Sequence, residues 1–120
     1  MAPQTRPGWL EVEQIGDVTV AKFTARYILD EEKVQTVGNQ LLSLGEQLAG
    51  RRLVLNFGTV ERLSSEMLGK LISLQRKVKA RGGRLALCGI RPQLYEVFRI
   101  LQLPQLLAIY ADEEAALQEF

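Results

Sequence analysis

The chain contains no histidine and only one cysteine, Cys88, in 120 residues. The first absence removes serine–histidine and cysteine–histidine nucleophile pairs, most zinc sites and the commonest general base. The second removes an internal disulfide and any cysteine-rich metal site. No stretch approaches the ~18 consecutive apolar residues of a membrane span, so no membrane insertion is expected. Neither sign of charge dominates. Fifteen basic residues against fourteen acidic ones leave a formal charge of +1, which offers no electrostatic footprint for direct DNA binding. A phosphate-cradling glycine loop is also missing. Gly82-Gly83 follows a helical pattern and precedes a strand, the reverse of the order that nucleotide loops need. No cofactor, metal or catalytic residue is therefore expected.

What remains is ordinary globular material, 47% hydrophobic and 24% charged, enough for one domain with one core. Residues 1–8 carry two prolines, a glycine and no apolar pattern. They read as a flexible leader without the apolar core of a secretory signal, and the expected compartment is the cytoplasm. The folded domain is expected over residues 9–120.

Alternation predicts a strand over Trp9–Ile15 and another over Val18–Phe23, joined by the hairpin signal Gly16-Asp17. Asp30 reads as the N-cap of a helix whose buried stripe is Val34, Val37, Leu41, Leu44 and Leu48, with Gly50 as its C′ glycine. Leu53-Val54-Leu55 is apolar on both faces, as a central strand should be. The spacing of Met67, Leu71, Leu74 and Val78, broadened by Leu68 and Ile72, predicts a helix over Ser64–Arg81. Its C-terminal half is rich in lysine and arginine, which complement the dipole. A strand over Arg84–Cys88 follows. Pro92 opens a helix to about Leu101, with Leu94, Val97, Phe98 and Leu101 inward. Leu106–Tyr110 is a short strand, and Asp112 caps a last helix carrying Ala115, Ala116, Leu117 and Phe120 inward. The order β-β-α-β-α-β-α-β-α predicts an α/β fold: a mixed, mainly parallel sheet with an initial antiparallel hairpin and about four helices.

Most chemistry-bearing residues have a structural explanation. Cys88 ends an apolar strand with no partner cysteine and reads as an inert buried thiol. The acidic runs 30–32 and 112–114 stand where helices begin. Arg51-Arg52 and the cations of the second helix read as a solvated face. Ser64 and Ser65 are different. Ser64 is a good N-cap, flanked by Leu63 and Leu68 at the positions of a hydrophobic staple. Ser65 and Glu66 follow it at the positive end of a helix dipole.

These residues, with Asn56, Leu68-Gly69, Gly82-Gly83, Cys88, Ile90, Pro92 and Phe98 at their spacings, resemble the STAS domain, the family that includes the bacterial anti-sigma factor antagonists. The resemblance runs from about Trp9 to Phe120. It implies a single STAS-like domain that works as a non-enzymatic regulatory protein-binding module by partner switching. The partner it implies is an anti-sigma factor that is also a serine kinase, which phosphorylates a serine at the start of the second helix and is then released. The antagonists commonly carry Asp-Ser-Ser-Gly-Leu there. Aligned by Leu68 and by the distance to Gly82-Gly83, Ser64 falls on the aspartate, Ser65 on the first serine, Glu66 on the phosphoacceptor and Met67 on the glycine. Matching the serine pair literally makes Ser65 the acceptor but puts Leu68 and Gly82 out of step. Two mechanisms follow from the resemblance: Ser65 or Ser64 is phosphorylated, one position earlier than usual, or Glu66 in the acceptor position supplies a fixed negative charge and the domain is not switched there.

The expected contact residues are Glu61, Arg62, Ser64, Ser65, Glu66 and Gly69, together with the loop over residues 58–63. Gln102-Leu103-Pro104 replaces the Gly-Leu that usually ends the helix before the last strand. A second reading is an accessory STAS subunit of a transporter or signalling scaffold, not switched by serine phosphorylation. A third is a small-molecule binder or enzyme using carboxylates in a parallel-sheet crevice, against which the lack of histidine and glycine-loop motifs counts.

Overall fold

The two-residue turn at Gly16-Asp17 sets how the sheet begins. Gly16 takes φ +64, a backbone conformation that glycine adopts without strain, and folds β1 (Leu10–Ile15) back on β2 (Val18–Phe23) in antiparallel register, Ile15 facing Val18. The computed structural model describes residues 9–48 and 50–119. The expected leader over residues 1–8 and the inward placement of Phe120 lie outside them.

After β2 the chain forms β3 (Tyr27–Ile28), α1 (Glu31–Gln47), β4 (Arg52–Asn56), β5 (Arg62–Leu63) and α2 (Ser65–Ala80). It continues through β6 (Arg84–Cys88), α3 (Pro92–Ile100), a 3-10 turn (Leu103–Gln105), β7 (Ala108–Tyr110) and α4 (Glu113–Glu119). The main sheet has the order β1-β2-β4-β6-β7, parallel from β2 onward. The expected mixed α/β architecture with four helices is what the described residues form.

Pleating splits the central strands between two cores. Ala21, Phe23, Leu53, Leu55, Leu85 and Leu87 belong to the larger core, together with Val34, Val37 and Leu41 of α1, Met67, Leu71 and Leu74 of α2, and Leu94 and Phe98 of α3. Val18, Val20, Val54, Ala86 and Cys88 share the smaller one with Ala116 of α4. The two helices α1 and α2 run parallel, side by side, as right-handed crossovers require. Gln35 meets Glu66 near their starts and Glu46 meets Lys77 near their ends. Gly38 and Gly45 permit the close approach: a Cβ at Gly38 would clash with the Lys70 side chain, and one at Gly45 would lie 2.9 Å from Leu74 Cδ1.

Several boundaries differ from expectation for identifiable reasons. Trp9 is not in the first strand; it takes φ 57 just before it, with Lys33 Nζ 5.2 Å from its ring centroid. Gly50 is not the C′ residue, because α1 ends with Leu48 as C-cap; its φ of +76 serves the turn toward β4. Leu44 and Leu48 of the predicted stripe are only partly buried. Val97 and Leu101 are 41% and 53% exposed, not inward, since the short helix α3 buries only the row Leu94–Phe98. The strand predicted from Leu106 starts at Ala108, after Leu103-Pro104-Gln105 forms the 3-10 turn. Gln102 stands before that turn at φ 60, ψ 28, the left-handed conformation glycine favours, at a cost of about 1–2 kcal/mol.

Candidate functional site

The start of α2 is built by a structure too short to have a sequence period. β3 and β5 form a separate two-stranded parallel sheet, Tyr27 facing Arg62 and Ile28 facing Leu63. The Arg26 carbonyl accepts from the Glu61 and Arg62 amides at 2.7 and 3.2 Å, and the Ile28 carbonyl accepts from Ser64 N at 3.0 Å. The segments entering α1 and α2 are thereby tied together, and both helix N-termini lie at the same end of the molecule.

Ser64 is fully engaged. Its Oγ accepts from Met67 N at 3.1 Å, its carbonyl accepts from Leu68 N at 3.1 Å, and its amide donates to Ile28. It is the expected N-cap, in extended backbone conformation. Leu63 and Leu68, the expected staple, both pack into the larger core. Ser65 is the first helical residue and is exposed, its hydroxyl taking no part in the cap. Glu66 is exposed too, and its Oε2 accepts from Gln35 Nε2 of α1 at 3.2 Å. Gly69 lies one turn further on with open space where a Cβ would stand.

The preceding loop is braced from the strand ends. Asn56 Oδ1 accepts from Gly58 N at 2.8 Å while its Nδ2 donates to Glu113 Oε2 at 2.7 Å, linking the loop to α4. Arg91 Nε donates to the Gly58 carbonyl at 3.1 Å, and Phe57 N donates to the Cys88 carbonyl at 2.9 Å. Gly89, at φ +70, lies so close beneath that a Cβ there would meet Asn56 Oδ1 at 3.1 Å and Gly58 N at 3.3 Å. Cys88 is a buried thiol whose pKa is pushed up to about 12, first by burial and then by the charges of Glu113 and Asp112. A thiol so protonated is a poor nucleophile.

Glu61 and Arg62 share a cleft, and Glu61 is also tied down by its neighbours. Glu61 is held by Arg26 Nε at 3.3 Å and by the Tyr27 hydroxyl at 3.5 Å. Arg62 is exposed, and both residues border a cleft of about 340 Å³ lined also by Leu29, Leu63, Gln93, Leu94 and Val97. The sequence-predicted residues therefore lie together along one segment, but Leu29 and Val97, 47% and 41% exposed, come from distant segments. Nothing in the helical spacing of Val97 distinguished it from a core residue. The acidic runs act as expected: Asp30 Oδ1 caps Lys33 N at 2.8 Å and Asp112 Oδ1 caps Ala115 N at 2.9 Å. No group of three or more metal-ligating side chains converges among the described residues. Among them, too, no helix is long and apolar enough to cross a membrane.

Solved structures share this arrangement. An anti-sigma-factor antagonist (STAS) domain protein from Planctomyces limnophilus superposes with a TM-score of 0.80 at 22% identity, over 91% of this chain and 94% of its own. An anti-sigma factor antagonist from Mycobacterium paratuberculosis gives 0.79 at 18% identity, over 96% and 97%. The murine Slc26a9 anion transporter gives 0.71 at 13% identity, over 88% of this chain but 18% of the transporter. At these identities the likeness is one of fold. The sequence itself goes further: residues 10–116 match the STAS domain family model, from the first strand into the last helix, and the chain belongs to that family.

Proposed function

We propose that this domain is a regulatory protein-binding module of the anti-sigma factor antagonist type, docking an anti-sigma factor that is also a serine kinase. The docking surface in this reading is the start of α2 with Ser64, Ser65, Glu66 and Gly69, the loop over residues 58–63, and the cleft beside Arg62. The observation that carries it is the exposed hydroxyl of Ser65 at the first position of α2, next to a cap that leaves it unused. Ser65 is the phosphoacceptor in this reading and Ser64 is not, because the Ser64 hydroxyl already serves the helix. A phosphate there adds about −1.5 to −2 charge beside Glu66, suits the helix N-terminus, and opposes a partner surface shaped for a neutral hydroxyl.

The test is incubation of the full chain with ATP and the anti-sigma factor kinase of the same organism, followed by intact mass, peptide mapping and a binding measurement. Phosphate on Ser65 with loss of the complex is the expected result. A stable complex that never acquires phosphate overturns the switch and leaves Glu66 as a fixed charge.

The position of Glu66 and the likeness of fold to a small part of an anion transporter support one alternative, an accessory domain of a transporter or scaffold. Recovery of transporter components in place of a kinase favours that reading.

A further inference from the structure

The outer edge of β1 has features that the α2 surface does not use. The turn at Gly16-Asp17 makes Ile15 and Val18 the closing pair of a two-residue hairpin, so hydrogen-bonded pairs fall on odd positions of β1. The Thr24 N to Trp9 O bond of 2.9 Å continues that parity. The N–H and C=O groups of Leu10, Val12 and Gln14 consequently face away from β2, and no described strand pairs on that side. The same three residues turn their side chains toward α1. There Leu10, Val12, Asn39, Gln40, Ser43 and Leu44 line a groove of about 370 Å³. Val12 is 50% exposed in it, and Gln40 holds its Oε1 buried without a hydrogen-bond partner among the described residues. On the opposite face of β1, Glu11 and Glu13 are both exposed; across the hairpin Glu11 faces Lys22, while Glu13 faces the apolar Val20 and has no cation opposite it.

We propose that the edge of β1 is a strand-addition site for an extended polypeptide that alternates basic and apolar residues. In antiparallel register, a residue opposite Val12 enters the groove, while its two neighbours face Glu11 and Glu13. Backbone groups of Leu10, Val12 and Gln14 supply the hydrogen bonds, and the two glutamates select the charge of the added strand. A second copy of this chain is a poor occupant. Two-fold pairing with Val12 on Val12 sets each Glu11 against the other copy's Glu13, and pairing centred on Glu11 sets the two Glu11 side chains against each other. Like charges directly opposite destabilise a sheet.

The experiment titrates the isotope-labelled full chain with a blocked seven-residue peptide alternating lysine and valine, following backbone amide shifts. Saturable shifts at Leu10, Val12 and Gln14 are expected, with about tenfold weaker binding for the glutamate–valine peptide. Val12→Pro removes an outward N–H that the β1–β2 ladder does not use, and is expected to abolish binding while the amides of β4 and β6 stay in place. Should Val12→Pro not fold, the double variant Glu11→Lys, Glu13→Lys carries the test, because it is expected to reverse the preference between the two peptides. Shifts confined to the acidic helix starts at 30–32 or 112–114 overturn the proposal. So does an affinity unchanged in either variant. Sedimentation showing self-association lost in Val12→Pro also overturns it, in favour of a second copy.

Discussion

The two helices α1 and α2 begin side by side and begin differently. Both are entered from the same pair of two-residue strands, and both place a capping oxygen on the amide three residues on. At α1 the cap is the carboxylate of Asp30, followed by Glu31 and Glu32, so the negative charge that suits the helix dipole is built in. At α2 the cap is the hydroxyl of Ser64, and the next residue offers a second, exposed hydroxyl. Both starts carry fixed charge, three carboxylates at α1 and Glu66 alone at α2, and only α2 adds an exposed hydroxyl to it. The difference teaches that the Ser-Ser pair is not equivalent: one serine caps the helix, and the other stands exposed with its hydroxyl outside the cap.

The largest effect that bears on this comparison lies beneath the surface. Met67 is fully buried under the first turn of α2, and Met67→Ala is expected to cost about 2–5 kcal/mol in denaturant unfolding. Val34→Ala under the first turn of α1 removes less volume and is expected to cost about 2 kcal/mol. Next come the caps. Ser64→Ala and Asp30→Ala should each lose about 1 kcal/mol, whereas the exchanges Ser64→Asp and Asp30→Ser should stay within about 0.5 kcal/mol by the same measurement. A large loss in either exchange would show that the two starts are not equivalent as caps.

Ser65→Glu should leave thermal stability unchanged or raise it by up to about 0.5 kcal/mol, because the added charge stands at a helix N-terminus. The same change is expected to weaken partner binding in a titration. A variant that loses stability and binding together would remove the distinction between the two serines. The smallest effect belongs to the far ends of the same helices, where Lys77 Nζ meets Glu46 Oε2 at 3.0 Å. The hydrogen bond and charge of Lys77, with Arg81 behind them, hold the Glu46 carboxyl below its ordinary value of 4.5. Its contribution is present above that value and is lost as pH falls through the lowered native one. Glu46→Gln should therefore flatten only a slight part of the acid limb in a pH series of unfolding curves.

How much of this was legible in the sequence depended on whether an element had a period. β2, with its alternation, and β6, closed by glycines before it, coincide with the predicted bounds. The start of α2 was readable because Ser64 and the stripe from Met67 to Val78 agree on one boundary. β3 and β5 were not readable, since two residues cannot show an alternation and their pairing joins segments 35 positions apart. The cleft was missed for the opposite reason. Val97 does fall at helical spacing, but α3 is too short to bury more than the row of Leu94 and Phe98, and length alone did not say which row would face out. The brace at Asn56 escaped because its partners, Gly58 and Glu113, become neighbours only when β4 and α4 are packed.

The small sheet of β3 and β5 has one more consequence, for exchange with solvent. The amides of Glu61, Arg62 and Ser64 are held by only two carbonyls, those of Arg26 and Ile28. A ladder of two residues has little cooperativity, so its opening free energy should lie far below that of the five-stranded sheet. These three amides are expected to exchange as one group, well ahead of β4 and β6, and each opening would loosen the approaches to both helix starts at once.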